Sequence, residues 1–269
     1  MMQSLRITDH TGSSALILPD KGATVISYQA KGQEYLYRDD VNLESSERPR
    51  CGIPFLFPVF GRTPADSPYP MEIHGFAHTS VWNVEEHTES VLRLSLRDNE
   101  ETRKVYPFPF RVELTFSMED GRLTIRQRYE NPGDLPMPYA FGFHPYFAVG
   151  DPETARVQVN APLEMDMSTG KPAPYTKSHT SLTFPPNAPE AGAFFLQASD
   201  CVIVESADGK KLRMNFDGHF NRIVLWAVKG KEFLCAEPIN SSPNGLVTGD
   251  CLKLDPGACV AAEVSFEAI

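Results

Sequence analysis

The sequence lacks the features that would assign it to a membrane or to a nucleic acid. It contains no run of about 18 apolar residues, so no transmembrane helix is expected. The first residues, Met-Met-Gln-Ser-Leu-Arg-Ile, lack the apolar segment of a signal peptide, and a cytoplasmic location is therefore expected. The formal net charge of −10 argues against a nucleic-acid partner, because neutralising phosphates requires a basic surface.

Cysteine is scarce, and its spacing forms no recognisable pair. The chain has 5 cysteines, an odd number, and contains no C-x-x-C motif. This pattern supports neither a disulfide framework nor a zinc knuckle, so we expect reduced and mostly structural thiols. The positions are Cys51, Cys201, Cys235, Cys251 and Cys259.

Helical periods of apolar residues are also rare, and short segments of alternating apolar and polar residues take their place. In the segment 111–118, alternation of Val112, Leu114 and Phe116 with polar residues predicts a strand that buries one face. Three β-hairpins are predicted, at 111–129, 201–216 and 222–237, with turns at Asp120-Gly121, Asp208-Gly209 and Lys229-Gly230. Other strands are predicted at 14–18, 23–29, 81–87, 91–96, 252–254 and 260–266.

This number of short strands predicts an all-β fold, a sandwich or a barrel built from antiparallel strands. At 269 residues the chain is long enough to bury a substantial core. No linker divides it, so residues 1–269 are predicted to form a single domain. The proline-rich stretches 131–138 and 172–189 lie between strand signals and are predicted to be ordered loops.

One titratable side chain, His144, lies in a segment that is otherwise aromatic, glycine and proline, FGFHPYF at 141–147. Aromatic walls with a few polar groups line small-molecule pockets, and imidazole transfers protons well near neutral pH. The alternative is a core histidine that hydrogen-bonds to a backbone carbonyl. The segment alone leaves both interpretations open.

The segment 50–62 is an apolar run with an arginine at each end, Arg50 and Arg62. Its two prolines and two glycines do not favour a regular central strand, so an irregular wall is predicted. The arginines either face a pocket or are exposed at the ends of a core segment.

The segment 72–78 contains a carboxylate and two imidazoles, Glu72, His74 and His78, which suggests a metal site. The glycine and phenylalanine between the histidines do not favour the helix that this ligand spacing requires. We therefore predict no metal site here and favour a single histidine that reaches into a pocket.

Glu237 ends an apolar strand and is followed at once by proline. Desolvation at such a position raises the pKa of a carboxyl group and makes it a useful base, although a solvated strand end is the alternative. The sequence contains no G-x-S-x-G motif and no phosphate-binding loop. Chemistry made only of proton transfers, without a cofactor, is the simplest interpretation.

Four motifs, in their order along the chain, resemble the aldose 1-epimerase (galactose mutarotase-like) family. They are RCGIP…FPVFGR at 50–62, HGFA at 74–77, GFHPYF at 142–147 and EP…SPNGL at 237–246. The resemblance extends over most of the chain, including TGDCLKLDPG at 248–257. It implies a large single-domain antiparallel β-sandwich that binds a sugar in an open cleft and interconverts its α and β anomers.

The resemblance also implies roles for individual residues. His144 would be the general acid at the ring oxygen of the sugar, and Glu237 the general base at the C1 hydroxyl. His74, Arg50 and Arg62 would hold sugar hydroxyls, or a phosphate if one is present. No metal and no cofactor are implied.

The chain departs from the family pattern at two positions. His78 stands where relatives often carry arginine, and Cys51 replaces a usual glycine. Since those arginines are associated with phosphate, the first departure argues against a hexose-6-phosphate substrate. Many members bind sugar through an aspartate, for which Asp166 and Asp200 are candidates.

A small carbohydrate is therefore the expected partner, bound by a monomer or weak homodimer. A carbohydrate-binding protein without catalytic activity, on the same fold, is the alternative. A sugar lyase or hydrolase is a third interpretation, but the second carboxylate that most glycosidases use is not evident near Glu237.

Overall fold

The computed structural model describes residues 4–45, 48 and 50–269, and β-strands dominate them. The first eleven strands are β1 (Leu5–Thr8), β2 (Ser14–Leu18), β3 (Thr24–Ala30), β4 (Gln33–Glu34), β5 (Phe55–Leu56), β6 (Asn83–His87), β7 (Val91–Arg97), β8 (Arg111–Glu119), β9 (Arg122–Glu130), β10 (Met137–Tyr139) and β11 (Gly142–Phe143). The strands that follow are β12 (Tyr146–Ala148), β13 (Arg156–Val159), β14 (Leu163–Asp166), β15 (Lys171–Pro174), β16 (Glu190–Leu196), β17 (Cys201–Glu205), β18 (Lys211–Phe216), β19 (Arg222–Val228), β20 (Phe233–Ile239), β21 (Leu252–Leu254) and β22 (Cys259–Ala268).

The helices are short. They are α1 (Asp40–Ser45), α2 (Glu100–Val105), α3 (Gly245–Thr248) and two 3₁₀ turns, Pro19–Lys21 and Ala77–Thr79. Within the described ranges, no helix has the length and apolar character needed to cross a membrane. The five cysteines are all free thiols, as the sequence predicts.

Two eight-stranded antiparallel sheets form the body of the fold. The first large sheet has the order β15-β14-β16-β19-β20-β11-β5, and β12 also pairs with β20. The second large sheet has the order β13-β17-β18-β22-β9-β8-β7-β6. A four-stranded sheet, β1-β2-β3-β4, and the pair β10-β21 complete the architecture.

Aromatic rings fill the space between the two large sheets. Phe55 of β5 lies 6.4 Å from Tyr129 of β9, measured between ring centroids, and Phe147 of β12 lies 6.3 Å from Phe266 of β22. Burial of such rings supplies most of the hydrophobic stabilisation of a sandwich. The predicted all-β antiparallel sandwich is therefore confirmed. The main hydrophobic cluster contains residues from both ends of the chain, from Ile7 to Ala268. The assignment of residues 1–269 to a single domain stays a prediction.

The three predicted hairpins are present, as β8–β9, β17–β18 and β19–β20. In the first, Asp120 and Gly121 both adopt positive φ, 49° and 80°, which suits a tight turn. The prediction that 131–138 and 172–189 are loops is wrong in part, because β10 includes Met137 and Pro138 and β15 includes Pro172 and Pro174. β15 is an edge strand, where a residue without an N–H group is tolerated.

Candidate active site

The register of the first large sheet brings His144 opposite Glu237. Gly142 of β11 pairs with Ile239 of β20, and Tyr146 of β12 pairs with Cys235 of the same strand. Along the chain, His144 lies midway between Gly142 and Tyr146, and Glu237 lies midway between their partners Ile239 and Cys235. His144 lies in the two-residue connection between β11 and β12, so the pairing of these strands with β20 on either side of it sets the separation from Glu237.

Gly142 permits the close approach of β11 to β20. A Cβ atom at this position would lie 2.7 Å from the carbonyl oxygen of Pro238 and 2.7 Å from a methyl carbon of Ile239. Both contacts are too short for any side chain. The close approach of the two strands therefore explains the glycine of the GFHPYF motif, and it brings His144, two residues later, near β20.

His144 and Glu237 contact each other in a nearly dry environment. His144 Nε2 lies 3.3 Å from Glu237 Oε1, and the two residues are 7% and 2% exposed. Burial raises the pKa of Glu237 well above its ordinary value and lowers the pKa of His144 well below its own. A pair perturbed in this way holds one proton between its two members near neutral pH, either as two neutral groups or as an ion pair.

The pair lines a cavity of about 540 Å³, a size suited to a small molecule. One part of the wall is apolar, with Pro54, Leu56 and Ile73. The basic and acidic groups that line it are Arg48, Arg50, His74, His78, His144, Glu190 and Glu237.

His74 presents a hydrogen-bond acceptor to the cavity. Its Nδ1 lies 2.7 Å from the carbonyl oxygen of Phe60, which only accepts, so Nδ1 carries the proton and Nε2 the lone pair. Burial lowers the pKa of His74 to about 4, which keeps the ring neutral at physiological pH. The backbone of His74 is left-handed, with φ of 71°, and Gly75 follows with φ of 69°.

Gly75 holds His74 in place, and a side chain here is expected to destabilise the fold. A Cβ atom would lie 2.4 Å from the carbonyl oxygen of Phe57, in addition to the strain of positive φ. We expect Gly75→Ala to lower the free energy of unfolding by about 3 kcal/mol, measured by urea denaturation at pH 7.

The matched control is Gly209→Ala in the β17–β18 turn. Gly209 has a similar φ, 85°, but no atom lies within 4 Å of the position of its Cβ. This variant should lose only about 1 kcal/mol from backbone strain. Equal losses in the two variants would contradict the steric explanation for Gly75.

His78 is the least expected member of the site. The residue is 5% exposed, and within the described ranges neither ring nitrogen has a hydrogen-bond partner of ordinary geometry. Burial lowers the pKa of His78 to about 3. Its ring centroid lies 6.0 Å from that of His74, and Glu72 is engaged elsewhere, with Arg62.

Arg50, Trp226 and Glu190 form one wall of the cavity. The Arg50 guanidinium lies over the Trp226 ring, 5.7 Å from its centroid, and the indole Nε1–H donates to Glu190 Oε2 at 3.2 Å. A cationic donor therefore lies over the face of one indole, and an anionic acceptor lies at its N–H edge. Glu190 and Trp226 were missed at the sequence level. Alternation in β19 does place Trp226 on the same face as Val224, which also lines the cavity.

Arg62 lies apart from these groups. Its guanidinium bonds the Glu72 carboxylate at 2.7 Å, and Arg62 is not among the residues that line the cavity. Arg48, which does line the cavity, lies 3.7 Å from the same carboxylate. Asp166 and Asp200 also lie away from the cavity; their carboxylates bond Ser168 and Asn160.

Three phenylalanines that lie next to the candidate site residues in sequence, Phe76, Phe141 and Phe143, do not line the cavity. Phe141 and Phe143 are buried in the core, where Phe141 stacks on Tyr129 at 4.6 Å, and Phe76 packs beside Phe110. The rings that line the cavity are Phe60, Tyr146 and Trp226.

Comparison with known proteins identifies the family. The model of the aldose 1-epimerase family matches residues 3–258. The LacX protein encoded on the chromosome of Lactococcus lactis subsp. lactis is 22% identical over 256 residues, which cover 84% of each chain.

Solved structures share the fold over the whole chain. The Slr1438 protein from Synechocystis sp. PCC 6803 superposes with a TM-score of 0.89 and 28% identity, covering 100% of this chain and 96% of the other. A galactose mutarotase-like protein from Lactobacillus casei ATCC 334 gives a TM-score of 0.83 and 22% identity, covering 99% and 100%. The fold is that of the galactose mutarotase-like β-sandwiches, and the chain belongs to the aldose 1-epimerase family.

Proposed function

We propose that this protein interconverts the α and β anomers of an aldose, with His144 and Glu237 as its acid–base pair. The observation that carries the proposal is their placement, 3.3 Å apart and opposite each other on the sheet, in the wall of a sugar-sized cavity. Family membership supports an isomerase of this kind. No cofactor is required by the chemistry.

Opening of the sugar ring requires two proton movements at one carbon. A proton must reach the ring oxygen while another leaves the anomeric hydroxyl, and both oxygens are bonded to C1. His144 Nε2 donates to the ring oxygen, the C1–O5 bond breaks, and Glu237 accepts the hydroxyl proton as the aldehyde forms. After rotation about the C1–C2 bond, the reverse transfers close the ring on the other face.

The proton count of the pair suits this cycle. Burial favours the form with the shared proton on Glu237, and transfer of that proton to His144 Nε2 gives the donor and the acceptor that ring opening uses. The pair also ends each turnover with the number of protons with which it began. No exchange with bulk water is then needed between ring opening and ring closure.

Three neighbouring groups are proposed to bind the sugar hydroxyls. His74 Nε2 accepts a hydrogen bond, the Arg50 guanidinium donates, and the Glu190 carboxylate accepts. Because the His74 ring is neutral, it favours a hydroxyl over an anionic group at its position. This chemistry supports a neutral aldose rather than a sugar phosphate as the substrate. The role of Arg62 stays a prediction.

The direct test is anomer exchange, followed by polarimetry and by NMR on freshly dissolved α-D-glucose and α-D-galactose. We expect the protein to accelerate exchange well above the rate in buffer. Sugar binding detected by calorimetry with no acceleration would instead identify the carbohydrate-binding alternative. The absence of both binding and acceleration across a panel of aldoses would contradict any role in sugar chemistry.

The binding residues predict a separation of kinetic effects. Arg50→Ala and Glu190→Gln should each raise KM about tenfold and change kcat little, since a hydrogen bond to a charged group contributes about 1.5 kcal/mol. Glu164→Gln is the control, because its carboxylate faces Lys177 away from the cavity. An equal rise for Arg62→Ala would support sugar binding by Arg62, and an unchanged KM for Glu190→Gln would remove Glu190 from the site.

A further inference from the structure

The ring of His144 is enclosed by other rings. Tyr146 stacks on it in parallel, with centroids 4.6 Å apart and planes inclined by 16°. Trp226 and His74 meet it edge-on, at 5.8 Å and 5.2 Å, with interplanar angles of 81° and 78°. His144 Nδ1 is buried, and no group in the described ranges forms a hydrogen bond with it.

This arrangement leaves the orientation of the imidazole to packing. Functional histidines are commonly oriented by a hydrogen bond at the second ring nitrogen. The torsion that rotates an imidazole about its bond to Cβ has broad minima, so it does not fix the ring by itself. Rotation of the ring out of its present plane would carry Nε2 away from its position 3.3 Å from Glu237.

We propose that Tyr146 is a positioning residue, whose stacked ring fixes the plane of the His144 imidazole so that Nε2 faces Glu237. The proposal rests on the proposed acid–base function. The contact that matters is the aromatic face of Tyr146, and its hydroxyl is not required.

Tyr146 is itself held firmly enough to act as such a platform. Its backbone pairs with Cys235 in β20, and its N–H donates to the carbonyl of Gly52 at 2.8 Å. Phe233 packs edge-on against the Tyr146 ring, at 4.9 Å and 72°, and the residue is 5% exposed. Stacked aromatic pairs contribute about 0.5–1.5 kcal/mol beyond area burial, enough to select one ring plane.

Several charged or titratable groups around His144 also affect its protonation, and any pH profile must be interpreted with them. They come from every side of the cavity: Glu237 from β20, Tyr146 from β12, Glu190 from β16, Arg48 and Arg50 from the segment before β5, and His74 and His78 from the segment 72–79. Because the variants below change none of these except Tyr146, a shift in the profile reports on the stacked ring.

The test compares Tyr146→Leu with Tyr146→Phe. Loss of the stacked ring should lower kcat for anomer exchange about 10- to 100-fold with little change in KM, and should move the acidic limb of the pH–rate profile. Tyr146→Phe keeps the ring and should remain within about threefold of the wild type. Tyr175→Leu is the matched control, since Tyr175 is similarly buried, at 7%, and packs on Phe195 away from the cavity.

An NMR measurement tests the same proposal without catalysis. The ring ¹⁵N and Cε1–H signals of His144 should be sharp in the wild type and in Tyr146→Phe, and broadened or shifted in Tyr146→Leu. If Tyr146→Leu does not fold, Tyr146→Met keeps the volume without an aromatic face. Unchanged signals and rates in both aliphatic variants would overturn the proposal, as would an equal loss in Tyr146→Phe. An inactive wild type with the expected NMR pattern would contradict the proposed function and leave the positioning role supported.

Discussion

Glu237→Gln is expected to lower kcat for anomer exchange about 10³-fold, because an amide cannot accept the proton of the anomeric hydroxyl. Glutamine keeps the shape of the side chain and can still hydrogen-bond to His144 and to the sugar. KM should therefore change little. Initial rates by polarimetry, over a range of sugar concentrations, separate the two parameters.

The double variant His144→Ala/Glu237→Gln sharpens this prediction. The two side chains contact each other and act on one carbon, so their effects should not add. We expect the double variant to be about as slow as the slower single variant. Glu190→Gln, a second carboxylate of the same cavity, should raise KM instead. A Glu237→Gln variant that keeps more than about a tenth of the wild-type kcat would rule out the proposed role.

The fold should be markedly less stable at pH 5 than at pH 7, because a buried histidine, His78, and a half-buried one, His74, resist protonation. Burial lowers the pKa of His74 to about 4 and of His78 to about 3, from the ordinary value of 6.5. For a base with a lowered folded-state pKa, the unfolded chain binds the proton first. The contribution of the two neutral histidines to the free energy of unfolding is complete above pH 6.5. It is lost as the pH falls toward their folded-state pKa values.

Between pH 6.5 and 5 the His144–Glu237 pair takes no part in this loss. In the folded protein it already holds one proton, and the unfolded chain acquires one at His144 below pH 6.5. The two states then bind equal numbers of protons until the unfolded glutamate titrates, at its ordinary value of 4.5. Asp9 and Asp250, whose pKa values are lowered, matter only at still lower pH.

The expected loss is large. At about 1.4 kcal/mol per pH unit, each histidine contributes about 2 kcal/mol between pH 6.5 and 5, and the two together about 4 kcal/mol. A loss of this size corresponds to a Tm about 10 °C lower for a chain of this length. Differential scanning calorimetry at pH 7 and pH 5 measures it.

Two variants identify the source of the acid sensitivity. His78→Phe removes one titrating ring from the cavity wall and should reduce the difference between the two pH values by about half. His179→Gln, at an exposed position, should leave the difference unchanged. Equal acid sensitivity in His78→Phe and the wild type would show that His78 is not responsible.

The hairpins were predictable because local signals determine them. Alternation along β8 and β9 and the Asp120-Gly121 turn depend on neighbouring residues, and the structure reproduces them within one or two residues. β15 was not predicted, because its two prolines oppose a strand unless its edge position is known.

The site was predictable only in part. His144 and Glu237 were identified through motif order, yet the reason they meet is a register between β11, β12 and β20 that no local pattern contains. Arg50 and Arg62 look alike in sequence, but Glu72 binds Arg62 outside the cavity wall. No local sequence pattern pointed to Glu190 as a site residue, because its place beside the cavity depends on the pairing of β16 with β19.

The placement of His144 and Glu237 across neighbouring strands has a consequence for engineering. Their spacing depends on the pairing of β11 and β12 with β20, so changes in loops that do not contact the pair should leave the acid–base distance unaltered. Loss of one residue within β20 would act differently, because a slip of one position turns every following side chain to the opposite face. Sequence changes for engineering are therefore best made in loops that do not contact the pair, and the sequence of β20 should be kept.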